Sequence, residues 1–255
     1  MNESRPESRH CFIFAAVAGF ALAICAFAPA GIAASALKRA VPMMSIAGAE
    51  GTVWKGRLIG VAHGDVFLGD IDFRVLASNL LIARATVDMT SAAGALEGAA
   101  RVEFTPDAIE LERVFVNFNL GAIRQYSFFG APYQGALKVT AERLRLTGAG
   151  CEAENAVIST SAFDALAQRW SGGAFPMDGA IKCVDGALMA SLKGEGADGA
   201  ADLSVTIRSD LTYSLVVAAR PRKPDIGRAL EFFGFEKRGD DLSYKAVGVL
   251  KGLSS

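Results

Sequence analysis

The chain has 255 residues, enough for one large domain or two small ones with a buried core. Its 26 lysines and arginines nearly balance 27 aspartates and glutamates, and the formal net charge is −1. Proteins that bind nucleic acid need clustered basic residues, so this balance argues against a nucleic-acid partner. A close basic run at Arg220, Arg222 and Lys223 is either a solvated loop or a patch for a partner.

A long apolar segment lies near the N-terminus. Residues 11–37 read CFIFAAVAGFALAICAFAPAGIAASAL and contain no charged side chain. A helix needs about 20 residues to cross a membrane, so the segment is long enough for one span. Pro29 should kink or end this helix, which leaves a core span from Phe12 to Ala28.

Two interpretations of this segment compete. A cleaved signal peptide would be cut at small residues, at 26–28 or within 33–36. The apolar segment is long for a signal peptide, which favours an uncleaved anchor. Either way the rest of the chain is exported. The predicted organisation is a cytoplasmic tail (1–10), a transmembrane anchor or signal sequence (11–37), and a single periplasmic β-rich domain (38–255).

The four cysteines fit export. Cys11 and Cys25 lie in the apolar segment, which leaves Cys151 and Cys183 as a pair in the exported part. An oxidising compartment favours a disulfide between them, and two free buried thiols are the alternative. His63 is the only histidine in the exported part, so a zinc site is a poor fit to this pair.

Apolar and polar residues alternate through much of the exported part, for example in DIDFRVL, ALKVTAE and DLSVTIR. This period is typical of strands with one buried and one solvated face. Units of glycine, alanine and an apolar residue repeatedly restart a strand after turn residues. The pattern in AIELERVFVNF slips near Arg113, which predicts a β-bulge. The predicted fold is mainly β, an extended, curved antiparallel meander sheet with two or three short helices.

Two segments have helical periodicity. STSAFDALAQRW offers Ser161 as N-cap and Asp164 three residues later. PDIGRALEFFGF begins at Pro224 and is closed by Gly234. The apolar stripe of this second helix is Ile226, Leu230 and Phe233.

The sequence contains no recognisable catalytic motif. His63 stands beside a glycine, in a position typical of a solvated strand or turn. The acid pairs Asp70 with Asp72 and Asp240 with Asp241 lie at strand edges or turns. General acid–base catalysis needs one carboxyl of a pair to be buried in a different environment from the other, and nothing in the local sequence indicates this. We therefore expect no catalytic residue, no metal site and no cofactor.

Two aromatic groups could line an apolar groove or fill the core. They are Phe128, Phe129 and Tyr133, and Phe232, Phe233 and Phe235. Core packing is the favoured interpretation. An extended curved sheet cannot easily hide every apolar residue, however, so part of this surface could face a partner or lipid.

A tryptophan lies between glycines in the stretch EGTVWKG. We expect Trp54 to be a packing anchor on a first strand, where it alternates with Thr52 and Gly56, rather than a ligand-binding residue. The segments GTVWKGRLIGV and VFLGDIDFRVLASNLLIARATV resemble the family of type II secretion system protein N. The residues that match its motif of glycine, threonine, apolar residue, tryptophan and glycine are Gly51, Thr52, Val53, Trp54 and Gly56.

Other features agree with this resemblance in order along the chain, and Cys151 and Cys183 look like the family's cysteines. Phe73 is a departure, since many members have tryptophan at that position. The resemblance implies a single-pass inner-membrane protein with its body in the periplasm and an accessory, non-catalytic role. Its partners would be inner-membrane platform proteins of the secretion system.

A lipid-handling module is the alternative from a different functional class. Meandering sheets of AsmA-like and lipopolysaccharide-transport proteins curl into an apolar groove, and the glycine-alanine hairpins of this chain are somewhat similar to theirs. Lipid is thus a further candidate partner. A continuous apolar trough would favour this interpretation, and a closed one would favour protein contacts.

Overall fold

Antiparallel strands dominate the fold. The computed structural model describes residues 26–41, 43–80, 83–123, 127–128, 131–132 and 134–249. The strands in this part are β1 (Met44–Gly51), β2 (Lys55–His63), β3 (Val66–Leu76), β4 (Ala85–Ser91), β5 (Leu96–Phe104), β6 (Ala108–Asn119), β7 (Ser127–Phe128), β8 (Ala131–Pro132), β9 (Ala136–Thr147), β10 (Gly150–Glu154), β11 (Val157–Thr160), β12 (Met177–Val184), β13 (Ala187–Gly196), β14 (Gly199–Ile207), β15 (Thr212–Pro221), β16 (Glu236–Arg238) and β17 (Asp241–Val249).

Within the described residues, the main sheet has fifteen strands and follows the chain almost strand by strand. Its order is β1-β2-β3-β4-β5-β6-β9-β11-β12-β13-β14-β15-β17-β16, while β10 shares one edge of β9 with β11. All these pairs are antiparallel, and β7 with β8 forms a separate hairpin. Pairing of this kind needs only short connections. It confirms the predicted antiparallel meander and the mainly β class.

The predicted β-bulge is present at Arg113. This residue has a φ of 51°, and the β5–β6 pairing shifts between Ala99 and Arg101. The extra residue lets Leu111 and Val114, which are three positions apart, pack in one cluster on the same face. The bulge therefore keeps the apolar side of β6 continuous.

The helices of the described part are short. They are α1 (Ala30–Ala40), α2 (Ala77–Leu80), α3 (Asp164–Trp170) and α4 (Pro224–Phe232), with a 3-10 turn at Leu120–Ala122.

The structure confirms most of the prediction for α4. The helix begins at Pro224 and buries Ile226 and Leu230 against strand residues. Phe233, the third member of the predicted stripe, follows the helix instead and is 42% exposed. It turns outward because the chain leaves the helix there, ahead of Gly234 with a φ of 91°.

The predicted N-cap of α3 is wrong. The helix begins at Asp164, and the Ser161 hydroxyl oxygen instead accepts a hydrogen bond from the Ala136 N–H at 2.9 Å. The Asp164 carboxylate accepts one from the Phe175 N–H at 2.7 Å. Both side chains therefore connect α3 to the segments around it, a tertiary role that the local pattern could not indicate.

Helix α1 lies at the end of the apolar N-terminal segment. Ala30 and Ala34 are 1% and 6% exposed and pack with Leu58 and Phe73 of the sheet. In the described part, no helix is both long enough and apolar enough for a membrane span, and residues 11–25 of the predicted anchor lie outside that part. The anchor therefore stays a prediction.

The predicted disulfide joins Cys151 of β10 to Cys183 of β12, with a Cα–Cα distance of 5.7 Å. Strand β12 pairs with β11 only through residues 177–180. The disulfide joins β10 to the second half of β12, which β11 does not reach. The two turns beside it nearly touch, since a Cβ on Gly150 would lie 3.0 Å from the Gly186 Cα. The bond thus closes the place where β10 and β11 share one edge of β9.

Removing this disulfide should destabilise the domain. With the cysteines 32 residues apart, changing both Cys151 and Cys183 to alanine should lower the free energy of unfolding by about 3–4 kcal/mol. Denaturant unfolding of the full chain in detergent measures the loss, and reductant should produce a similar loss in the wild type but none in the variant. Peptide mapping that finds both thiols alkylated without reductant would contradict the assignment.

Candidate functional site

The middle of the sheet has one apolar face. Its core is a cluster on which residues of seven strands and Ala156 converge. Leu111 on β6, for example, pairs with Val102 on one side and Leu144 on the other. We call the side of the sheet that carries this cluster the apolar face. Its members are Ala100, Leu111, Val114, Val116, Val139, Ala141, Leu144, Ala153, Ala156, Ile158, Ile181, Leu188 and Ala190.

The apolar face is open to solvent at one end of the strands. Phe104, Ile109 and Leu146 are direct neighbours on β5, β6 and β9 and are 44%, 43% and 41% exposed. They continue the apolar row beyond the buried cluster. A contiguous exposed patch of this kind is typical of a contact with a partner or lipid.

The opposite side of the same strands, which we call the charged face, carries cross-strand ion pairs. Arg143 on β9 lies 2.7 Å from Glu110 and 3.5 Å from Glu154, and Arg101 on β5 lies 2.6 Å from Asp88. The hydrogen bond from Arg101 lowers the pKa of the Asp88 carboxyl. The Arg143 and Glu154 side chains are 45% and 58% exposed, so the charged face is a solvated surface and the sheet is amphipathic.

The first acid pair from the sequence is engaged within the sheet. Asp72 on β3 accepts hydrogen bonds from Arg57 at 2.8 and 3.0 Å, which lower the pKa of its carboxyl. Asp70 accepts one from the Gly60 N–H at 2.9 Å. Each carboxylate thus fixes the pairing of β2 with β3.

The second acid pair and the histidine lie at opposite ends of the strand order. Asp240 and Asp241 are at the β16–β17 turn, where Asp241 lies 3.5 Å from Arg220. His63 ends β2, at the other end of the strand order. The structure does not bring these residues together.

An apolar cleft of about 80 Å³ lies between α3 and α4. Phe235, one of the aromatic candidates, is 8% exposed and lines it, whereas Phe232 is 84% exposed. The side chains of Phe128, Phe129 and Tyr133 lie outside the described part. Residues lining the cleft include Phe163, Leu166, Trp170, Phe175, Met177, Leu203, Val217, Ile226 and Leu230.

The basic run beside this cleft is paired within the chain. Arg220, Arg222 and Lys223 each contact a carboxylate. Their partners are Asp202, Glu195 and Asp198. Asp198 is 6% exposed and also accepts a hydrogen bond from the Ser171 hydroxyl at 2.8 Å. The run therefore holds α4 against the β13–β14 turn.

The sequence motif forms the turn between β1 and β2. The prediction that Trp54 lies on a first strand is wrong, because β1 ends at Gly51 and β2 begins at Lys55. The Thr52 hydroxyl oxygen accepts hydrogen bonds from the N–H groups of Trp54 and Lys55, both at 3.3 Å. Trp54 is half-buried, and its carbonyl accepts from the Val75 N–H at 2.7 Å.

The same turn holds the incoming chain. The Val53 N–H donates to the Ala28 carbonyl at 2.9 Å, and Pro29 forms a β-bridge with Thr52. This contact is not predicted from the sequence, because residues 11–37 have the composition of one continuous membrane segment. The spacing of Ala30 and Ala34, one helical turn apart, was the available signal for a packed helix.

Each of the two glycines of the motif is required for a different steric reason. Gly51 has a φ of 87°, which favours glycine. A Cβ on Gly56 would lie 2.4 Å from the Glu50 carbonyl oxygen, 3.0 Å from Phe73 and 3.1 Å from the Ala30 Cβ. Gly56 thus lets α1 approach the sheet.

Gly56→Ala should destabilise the domain, because the added methyl clashes with the Glu50 carbonyl oxygen and overpacks against Phe73 and Ala30, at a cost of about 1–3 kcal/mol. The matched control is Gly31→Ala in α1, where an added Cβ meets nothing within 4 Å and should be neutral or stabilising. Denaturant unfolding of both full-length variants measures the difference. Equal stabilities would contradict the close approach of α1 to β2.

Comparison with known proteins agrees with the motif. Residues 42–244 match the family described as type II secretion system (T2SS), protein N. No curated protein and no solved structure matches the chain at a significant level. The family match covers β1 to β16 and the first four residues of β17. The chain therefore belongs to the type II secretion system protein N family.

Proposed function

We propose that this protein is a non-catalytic accessory component of the type II secretion machine, anchored in the inner membrane by one span and acting through protein contacts in the periplasm. The observation that carries the proposal is the family match over residues 42–244. The partners we expect are inner-membrane platform proteins of the same machine.

The disulfide supports a periplasmic body. Cys151 and Cys183 are bridged, and such bonds persist in oxidising compartments. The ion pairs of the charged face favour a solvated surface, as a periplasmic domain requires. Asp70, Asp72 and Asp241 bind an arginine or a backbone N–H, which favours a structural role for them over a catalytic one.

Helix α1 supports an anchor over a signal peptide cut within residues 33–36. Such a cut would divide α1 and remove Ala30, which is 1% exposed in the core. Pro29 stands at the N-cap of α1, so the periplasmic body would start there and the span would end near Ala28. We accordingly place the tail at residues 1–10 and the span within residues 11–28.

Crosslinking tests this proposal. Full-length tagged protein, crosslinked in intact cells that carry the secretion machine, should enrich platform proteins over a single-span periplasmic control expressed at the same level. Deletion of the gene should reduce the secretion of exoproteins. Normal secretion together with no enrichment of platform proteins would contradict the proposal.

Lipid handling is a second candidate, favoured by one observation. The apolar face continues into the exposed row of Phe104, Ile109 and Leu146, so its cluster is accessible from one end of the strands. An acyl chain would fit such a surface because it needs no polar partner.

A photocrosslinking pair on β6 tests the lipid candidate. Benzoylphenylalanine at Ile109, on the apolar face, should form adducts with phospholipid in membranes. The matched control is Phe115, which lies on the charged face of the same strand and is 52% exposed against 43% for Ile109. Equal or absent lipid adducts at the two positions would count against lipid handling and leave the secretion role standing.

A further inference from the structure

The tip of the β1–β2 hairpin lies beside the end of the predicted membrane span. The Val53 N–H donates to the Ala28 carbonyl at 2.9 Å, and Pro29 bridges to Thr52. No linker therefore separates the predicted end of the span from the sheet. A turn fixed at this place has to lie at the membrane surface if residues 11–28 cross the membrane.

The side chains at this tip are of the kind found at a membrane interface. Phe27 is 78% exposed, Trp54 is half-buried and Lys55 is exposed. Tryptophan is enriched at the level of the lipid headgroups, because its ring is apolar and its N–H is polar. A lysine there is attracted to anionic headgroups.

The backbone fixes the position of Trp54. Its N–H donates to the Thr52 hydroxyl oxygen at 3.3 Å, and its carbonyl accepts from Val75 of β3 at 2.7 Å. The Trp54 backbone, from which the indole projects, therefore stays at a set place relative to both the sheet and Ala28. A flexible loop could leave the interface, whereas this turn moves only with the sheet.

We infer that the hairpin tip formed by Phe27, Val53, Trp54 and Lys55 lies in the headgroup layer of the membrane, with the phospholipid interface as its partner. This inference rests on the proposed membrane anchor. It gives the motif tryptophan a role at the membrane surface, outside the buried core. The sheet is then held at a fixed height and orientation on the membrane.

The two tryptophans of the chain provide the test. Trp170 lies in α3, in the β11–β12 connection, far from the tip in the strand order and at the opposite end of the strands. Full-length Trp170→Phe and Trp54→Phe each retain one indole. Both are reconstituted in vesicles of phosphatidylethanolamine and phosphatidylglycerol, with and without a phosphatidylcholine brominated near the headgroup.

Brominated lipid should reduce the Trp54 emission by about twofold, because an indole at the headgroup level lies near the bromine atoms, and bromine quenches only at short range. The Trp170 emission should stay nearly unchanged. Equal quenching of the two indoles, or none at Trp54, would overturn the inference. Extraction with alkaline carbonate distinguishes a failure of the hairpin contact from a failure of the anchor. If the protein stays in the vesicles but Trp54 is not quenched, only the hairpin contact is overturned. If the protein is extracted, the anchor is overturned as well.

Discussion

The fifteen-stranded sheet of the described residues, with its one apolar face, sets the main constraint on this structure. Such a face has to be covered, and the described helices cover mainly its ends. Helix α1 packs on the first strands and α4 on the last ones, whereas the cluster between them consists of strand residues and Ala156. Its burial comes from neighbouring side chains of the sheet. The ion pairs on the opposite face keep that side in water.

Much of this arrangement could be predicted from sequence, because it depends on local rules. Period-two alternation indicates which side of a strand is buried, and short turns lead to antiparallel pairing of neighbours. The slip at Arg113 is visible for the same reason. The cysteine pair follows from parity and compartment, and the structure confirms the bond between Cys151 and Cys183.

Contacts between distant segments could not be predicted in this way. The Ser161 hydroxyl bonds to Ala136, which is 25 residues away, although the local pattern is that of an N-cap. Trp54 continues an apparent alternation, but Gly51 and the Thr52 side chain turn the chain before it. Ala30 and Ala34 look like membrane residues because small apolar side chains suit both a bilayer and a helix packed closely on a sheet.

The disulfide also has a mechanical consequence. Neighbouring strands of a meander can be peeled apart one after another when the two ends of a chain are pulled. The covalent bond between Cys151 and Cys183 excludes the 32-residue segment between them from this extension. That segment would otherwise add about 110 Å of length at 3.3–3.6 Å per residue. The disulfide would thus shield β11 and α3, which lie within that segment, from the pulling force.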